Sequence, residues 1–297
     1  MFPKKPFIGS SVNSLSANLH KFFLSIFMSP EKIAIHTFTN QPWSIDECIE
    51  NYSRAGIGGI SIWRETLAGQ DLKKVRIHLA DSGLTPVSLV RGGFFTALSA
   101  PDRQAAIEQN LNALEEAELL GLPMIVLVCG ATMGQTPEQN LEQIEAGIRA
   151  LLPRAEASGI KLAIEPLHPM YAGDRSAVAS LRDANVLAQR INHPLVGIAV
   201  DTFHVWWETN LEQEIQTCAN NGHLFAFHIC EFKPDFDHPL LDRGLPGEGV
   251  NATPRILNMI RTTDFNGLAE VEIFSRKYWA MNQQDFLTKI LNSTKDL

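Results

Sequence analysis

Beyond its first ~30 residues the sequence repeats one unit eight times: a short apolar or β-branched run, then a longer stretch with helical start and stop signals. The runs fall at residues 32–37, 59–63, 85–90, 124–129, 161–165, 196–201, 224–228 and 268–272. The spacing predicts helices over 45–55, 71–82, 101–120, 137–158, 176–191, 211–220, 253–261 and 283–291. Helix starts carry Ser, Thr, Asp or Pro, which satisfy or do without the first backbone donors. Several ends carry a glycine that tolerates left-handed backbone: Gly56, Gly83, Gly121 and Gly159. Strands that strictly alternate with helices imply a parallel sheet. Eight such units in roughly 265 residues imply an α/β fold of one domain, a (β/α)8 barrel of TIM type. The runner-up, a doubly wound open sheet, lacks a GxGxxG turn after its first strand. Residues 1–29 read as a short N-terminal extension, dispensable to the fold, and 30–297 as the barrel. The extension holds Lys4, Lys5 and Lys21, no acid, and a short apolar patch over 22–28.

In such barrels chemistry gathers at the C-terminal ends of the strands. Four successive predicted strands end on Glu165, Asp201, His228 and Glu272. Together they predict one divalent-metal site. Three carboxylates and one imidazole form a hard, oxygen-rich set suited to Mn²⁺ or Mg²⁺, with Co²⁺ and Zn²⁺ as further candidates. Side chains two residues apart on a strand share a face. If the four ends point inward, so do Ala163, Ala199, Ala226 and Glu270, one layer lower. Glu270 then supports the ligands from behind. Two other readings are a buried acid paired with Lys or Arg, and, if the register differs, Glu270 as the ligand itself. Glu165 and Glu272, on strands three steps apart, could also flank a substrate as an acid–base pair. One would remove a proton beside a polarised carbonyl, and the other would return it.

Composition narrows the function classes. The formal charge of −8, with Lys and Arg scattered, leaves no basic footprint for nucleic acid. No apolar run approaches the ~20 residues of a membrane helix. Cys48, Cys129, Cys218 and Cys230 form no CxxC pair, so disulfides are not expected and a reducing cytoplasm is.

Further candidates stand near the mouth. Trp63 and Arg64 close the second strand, where Trp63 could wall a sugar ring. Arg91, followed by Gly92, Gly93, Phe94 and Phe95, could hold a carboxylate, phosphate or hydroxyl cluster. His36 and His168 could touch substrate hydroxyls. The long segment bearing Pro234, His238, Pro239, Asp242 and Pro246 is the lid candidate.

The segments Ile164-Glu-Pro-Leu-His168, Val200-Asp-Thr-Phe-His204, Phe227-His-Ile-Cys-Glu231, Leu245-Pro-Gly-Glu-Gly249 and Glu270-Val-Glu-Ile-Phe-Ser275 resemble the xylose isomerase-like TIM-barrel superfamily. They are most similar to its sugar phosphate isomerase/epimerase branch, and the likeness runs from Lys32 to the C-terminus. The resemblance implies Glu165, Asp201, His228 and Glu272 as metal ligands and Glu165 and Glu272 as acid–base carboxylates. It also implies His204 as a substrate-oxygen contact and Glu231 as a group that orients substrate near the metal. Epimerases of the branch often place an Arg soon after that Glu. Here Lys233 and Pro234 stand there, and the nearest Arg is Arg243, which joins the substrate-binding candidates. The implied activity is metal-dependent isomerisation or epimerisation of a small sugar, sugar derivative or cyclitol. The alternative is a dehydratase of the inosose or dehydroshikimate type. An abasic-site endonuclease or a non-catalytic sugar-binding barrel fits less well. The implied partner is a small carbohydrate rather than nucleic acid or membrane, and a homo-oligomer is compatible with the sequence.

Overall fold

The computed structural model describes residues 28–297. The expected extension lies almost wholly outside the described residues. Eight parallel strands close a barrel in chain order: β1 (Ile33–His36), β2 (Gly59–Trp63), β3 (Thr85–Gly93), β4 (Met124–Val128), β5 (Lys161–Ile164), β6 (Val196–Asp201), β7 (Leu224–Ile229) and β8 (Ala269–Val271). Closure is made by β1 against β8, with Ala34 opposite Glu270. The eight principal helices are α1 (Ile45–Arg54), α2 (Leu72–Asp81), α3 (Ala100–Leu120), α4 (Pro137–Ser158), α5 (Leu181–Ile191), α7 (Leu211–Asn220), α8 (Ala252–Ile260) and α10 (Gln283–Thr294). Two short ones, α6 (Thr202–Val205) directly after β6 and α9 (Arg276–Trp279) a few residues after β8, were not expected. No described helix is long and apolar enough to cross a membrane. All four cysteines are free and buried.

Local chemistry sets the boundaries. Ser44 and Glu47 form a reciprocal capping box at the start of α1, as do Thr136 and Gln139 at α4. The helix expected to begin at 176 begins at Leu181, because the Ser180 side chain accepts the Asp183 N–H and caps it there. Residues before it form a 3-10 turn, Pro169–Tyr171, and a loop held to β4's end by a bridge between Gly130 and Ser176. Strand β3 runs three residues further than expected. It does so through Gly93, at φ 106°, where a Cβ would lie 1.9 Å from the Val128 carbonyl oxygen.

The core has two parts. Between strands and helices lies an Ile- and Leu-rich layer that includes Ile35, Ile62, Leu89, Leu127, Ile164 and Ile198. Burying each such side chain contributes roughly 1.5–3 kcal/mol. Inside the barrel Val90, Met124 and Val126 pack with Ala163, Ala199 and Ala226. The three alanines sit one layer below the strand ends, as alternation requires, and leave space at the axis for buried polar side chains.

Candidate metal centre and its cavity

Glu165, Asp201, His228 and Glu272 are brought to the barrel axis, each at most 4 % exposed. One ligand atom from each lies within 4.8 Å of the others. The bonds among them form a continuous network. His228 Nδ1 lies 3.0 Å from Glu165 Oε1. Arg243 Nη1 donates to Asp201 Oδ2 at 3.0 Å and to Glu272 Oε2 at 2.7 Å. His36 Nδ1 lies 3.0 Å from Glu272 Oε1. Below them, Glu270 Oε2 accepts from Ser61 at 2.5 Å and Ser88 at 3.3 Å, and approaches His36 Nε2 at 3.3 Å and His228 Nε2 at 3.7 Å. Glu270 therefore sits behind the cluster with histidines as its cations, not with the Lys or Arg that one sequence reading allowed.

Burial and charge oppose each other throughout the network. Burial raises the Asp201 pKa against the pull of Arg243, and Glu272 and Glu165 add to the rise, to about 7. Burial alone would discharge His228, but the Glu270 and Glu165 carboxylates override it and push it up to about 10. Glu272 resists burial because His36 and Arg243 hold it well below the usual carboxylate range. His204 is the opposite case: burial, then Arg243, keeps it neutral. Its Nδ1 accepts the His168 N–H at 3.1 Å, which assigns the proton to Nε2. Nε2 then faces Arg243 Nη2 at 3.3 Å, donor toward donor. Both groups border the cavity, and a substrate oxygen between them would accept from each.

The donor set fits a hard divalent cation. Three carboxylates and the His228 imidazole each offer a ligand atom within 4.8 Å of the others, a hard, oxygen-rich set. A second overlapping trio, His36, His228 and Glu272, meets the same distance criterion. Asp201→Asn should lower metal content and activity together, read by metal analysis after desalting. Full metal occupancy in that variant would remove Asp201 from the ligand set.

Above the cluster opens a cavity of about 310 Å³. Of the sequence candidates, Glu165, Glu272, His204, Arg243, Trp63 and Arg91 border it. His36, His168 and Glu231 do not. His36 is fully buried among Glu270, Glu272 and Trp63, whose Nε1 lies 3.1 Å from its Nδ1. His168 stacks on Phe232 and Trp206, and its Nδ1 accepts the Met170 N–H. Glu231 accepts the N–H groups of Ala252 and Thr253 at 3.1 and 3.0 Å and so anchors the start of α8. These three side chains are engaged behind or within the walls rather than in the cavity lining.

Residues missed in sequence complete the cavity. Phe38, Phe274 and Trp279 join Trp63 in an aromatic wall, with Phe38 and Trp63 stacked at 5.0 Å. Phe274 follows Glu272 by two residues, whereas Phe38 lies in a 3-10 turn, Thr37–Asn40, that strand alternation does not reach. Leu240 and Leu241 close one side from the proline-containing segment. That segment is tied down: Tyr171 Oη donates to the Pro239 carbonyl at 2.5 Å, and Arg243 N–H to the Phe274 carbonyl at 2.9 Å. A bridge between Glu231 and Gly244 folds it back and sets Arg243 against Asp201 and Glu272.

An eight-stranded parallel barrel, with three carboxylates and an imidazole at its strand ends, defines a metal-competent (β/α)8 protein. The chain belongs to the xylose isomerase-like TIM barrel family, whose model matches residues 49–290. Protein SMc04130 from Sinorhizobium meliloti 1021 is 34 % identical, with a TM-score of 0.86 over 89 % of this chain and 98 % of that one. The IolI protein, solved with a bound zinc atom, is 21 % identical, with a TM-score of 0.78 over 89 % and 96 %. D-psicose 3-epimerase, solved in the presence of D-fructose, is 16 % identical, with a TM-score of 0.73 over 88 % and 96 %. The latter two likenesses show the fold alone. No curated protein shows significant similarity to the chain.

Proposed function

We propose that the protein is a divalent-metal-dependent isomerase or epimerase acting on a small sugar, sugar derivative or cyclitol. The observation that carries this reading is the position of Glu165 and Glu272. They come from the ends of β5 and β8, border one cavity, and belong to one cluster of metal-competent side chains. A divalent ion held by Glu165, Asp201, His228 and Glu272, with Mn²⁺ or Mg²⁺ favoured, would polarise a substrate carbonyl. One of the two glutamates then takes the proton from the adjoining carbon, and the other returns a proton. Return to the opposite face of that carbon inverts it. Return to the neighbouring carbon exchanges aldose and ketose. His204 and Arg243 donate to substrate oxygens, and the aromatic wall excludes water from the reacting end. The epimerase and IolI folds lend support at the level of architecture.

The test is a panel of ketoses, ketose phosphates, inososes and dehydroshikimate incubated with Mn²⁺ in deuterated water. The expected result is deuterium at the carbon beside the carbonyl, with an epimer or aldose as product. Loss of water from the substrate would redirect the assignment to a dehydratase. No exchange into any member, with metal bound, would overturn the proton-transfer reading.

A further inference from the structure

The outer part of the cavity is chemically unlike its floor. Glu165 and Glu272 border the end at the metal-competent cluster, while Arg91 and Arg175 border the same cavity, whose one further lining acid is Glu65. In a chain of formal net charge −8 this is a local reversal. Arg175 is half-buried, and among the described residues its guanidinium has no hydrogen bond and no carboxylate within ion-pair range. Arg64, Arg149 and Arg154 each pair with a glutamate instead. The Arg175 backbone is fixed: its N–H reaches the Tyr171 carbonyl at 3.0 Å, and its carbonyl takes the Gly130 N–H at 2.8 Å. Its guanidinium carbon lies 5.9 Å from the Tyr171 ring. Arg91 has one long contact, to the exposed Glu65 at 3.4 Å, and rests over Phe94 at 4.8 Å. An exposed pair of that kind adds little stability and gives way readily to a better acceptor.

We propose that this rim is an anion subsite, in which Arg175, assisted by Arg91, holds a carboxylate or phosphate monoester at the end of the substrate remote from the reacting carbon. The proposal deepens the proton-transfer reading and rests on it. An anionic group is repelled from the floor by the carboxylates there, and the aromatic wall lines the same cavity. The planar guanidinium of Arg175 presents a fork of donors to two oxygens of either anion. Tyr171, beside Arg175, carries the hydrogen bond to Pro239, so an anion held at the rim lies next to the segment that closes the cavity.

The test compares a ketohexose, its 6-phosphate and the matching 6-carboxylate as substrates of the Mn²⁺-loaded protein. In parallel, calorimetry compares a non-reacting hexitol, its monophosphate and the corresponding hexonate as ligands. The wild type should favour an anionic form over the neutral one by about tenfold in kcat/KM and in affinity. Raised salt should compress that ratio. Arg175→Gln should bring it close to one, and Arg175→Lys should keep part of it. Whether phosphate or carboxylate is preferred identifies the source of the anion. Equal use of neutral and anionic forms by the wild type, or a ratio unchanged in Arg175→Gln, would overturn the subsite. If no sugar is turned over but the analogue preference is present and depends on Arg175, the subsite stands and the proton-transfer reading falls.

Discussion

Glu165→Gln and Glu272→Gln are each expected to reduce turnover by about 10²–10⁴-fold at saturating Mn²⁺, the usual contribution of a positioned acid or base. Glutamine keeps one oxygen for a cation and much of the side-chain shape, but it cannot accept the substrate proton. Substrate should therefore still bind, as measured by calorimetry, while solvent-hydrogen exchange falls in step with turnover. The two variants should differ in stability. Glu272 accepts from both His36 and Arg243, and its replacement leaves those buried cations short of an acceptor. Glu165 meets only His228 within the network. Near-normal turnover in both variants with metal bound would remove the acid–base role. Glu231 would not replace them, because it is occupied by backbone amides.

Arg243→Met should produce the largest change in stability. Arg243 is 3 % exposed and bridges Asp201 and Glu272. Removing one member of such a buried pair typically costs about 3–5 kcal/mol, because the remaining charge is left uncompensated. Asp201 already carries a raised pKa with the arginine in place. Without it, Asp201 should take up a proton more readily still. A divalent cation at the same carboxylates would replace the missing charge. Added Mn²⁺ should thus raise the melting temperature more in Arg243→Met than in the wild type. Equal stabilisation of the two proteins by metal would separate the arginine from the metal centre. Turnover should also fall, since one of the two donors facing the cavity floor is lost.

The proline-containing segment after β7 shows where sequence spacing misleads. Motif position suggested an arginine near 233 or 234, and Lys233 and Pro234 stand there. Lys233 instead pairs with Asp242 at 2.6 Å, which helps to fold the segment back and set Arg243 against Asp201. No local pattern encodes that return, because the contacts that define it join residues from different parts of the chain. The histidines illustrate the same limit. His36, His168, His204 and His228 all stand at or just past strand ends. Only packing separates a buried bridge between carboxylates, a ring stacked on Trp206 and Phe232, and a donor that faces the cavity.

By itself the sequence determined the barrel, the order of its elements and the four strand-end residues of the metal-competent cluster. Those features follow from short-range rules: apolar runs of strand length, capping residues at helix starts, and alternation of side chains across a strand. Glu270, Ala163, Ala199 and Ala226 were legible for the same reason, since two-residue periodicity holds as long as the strand does. Tertiary structure alone decided which polar groups share one cavity, which are consumed by backbone amides or buried neighbours, and how each is charged. The physical reason is that desolvation, ion pairing and hydrogen-bond satisfaction depend on every group packed nearby, and in a closed barrel those groups come from strands and loops far apart in the chain.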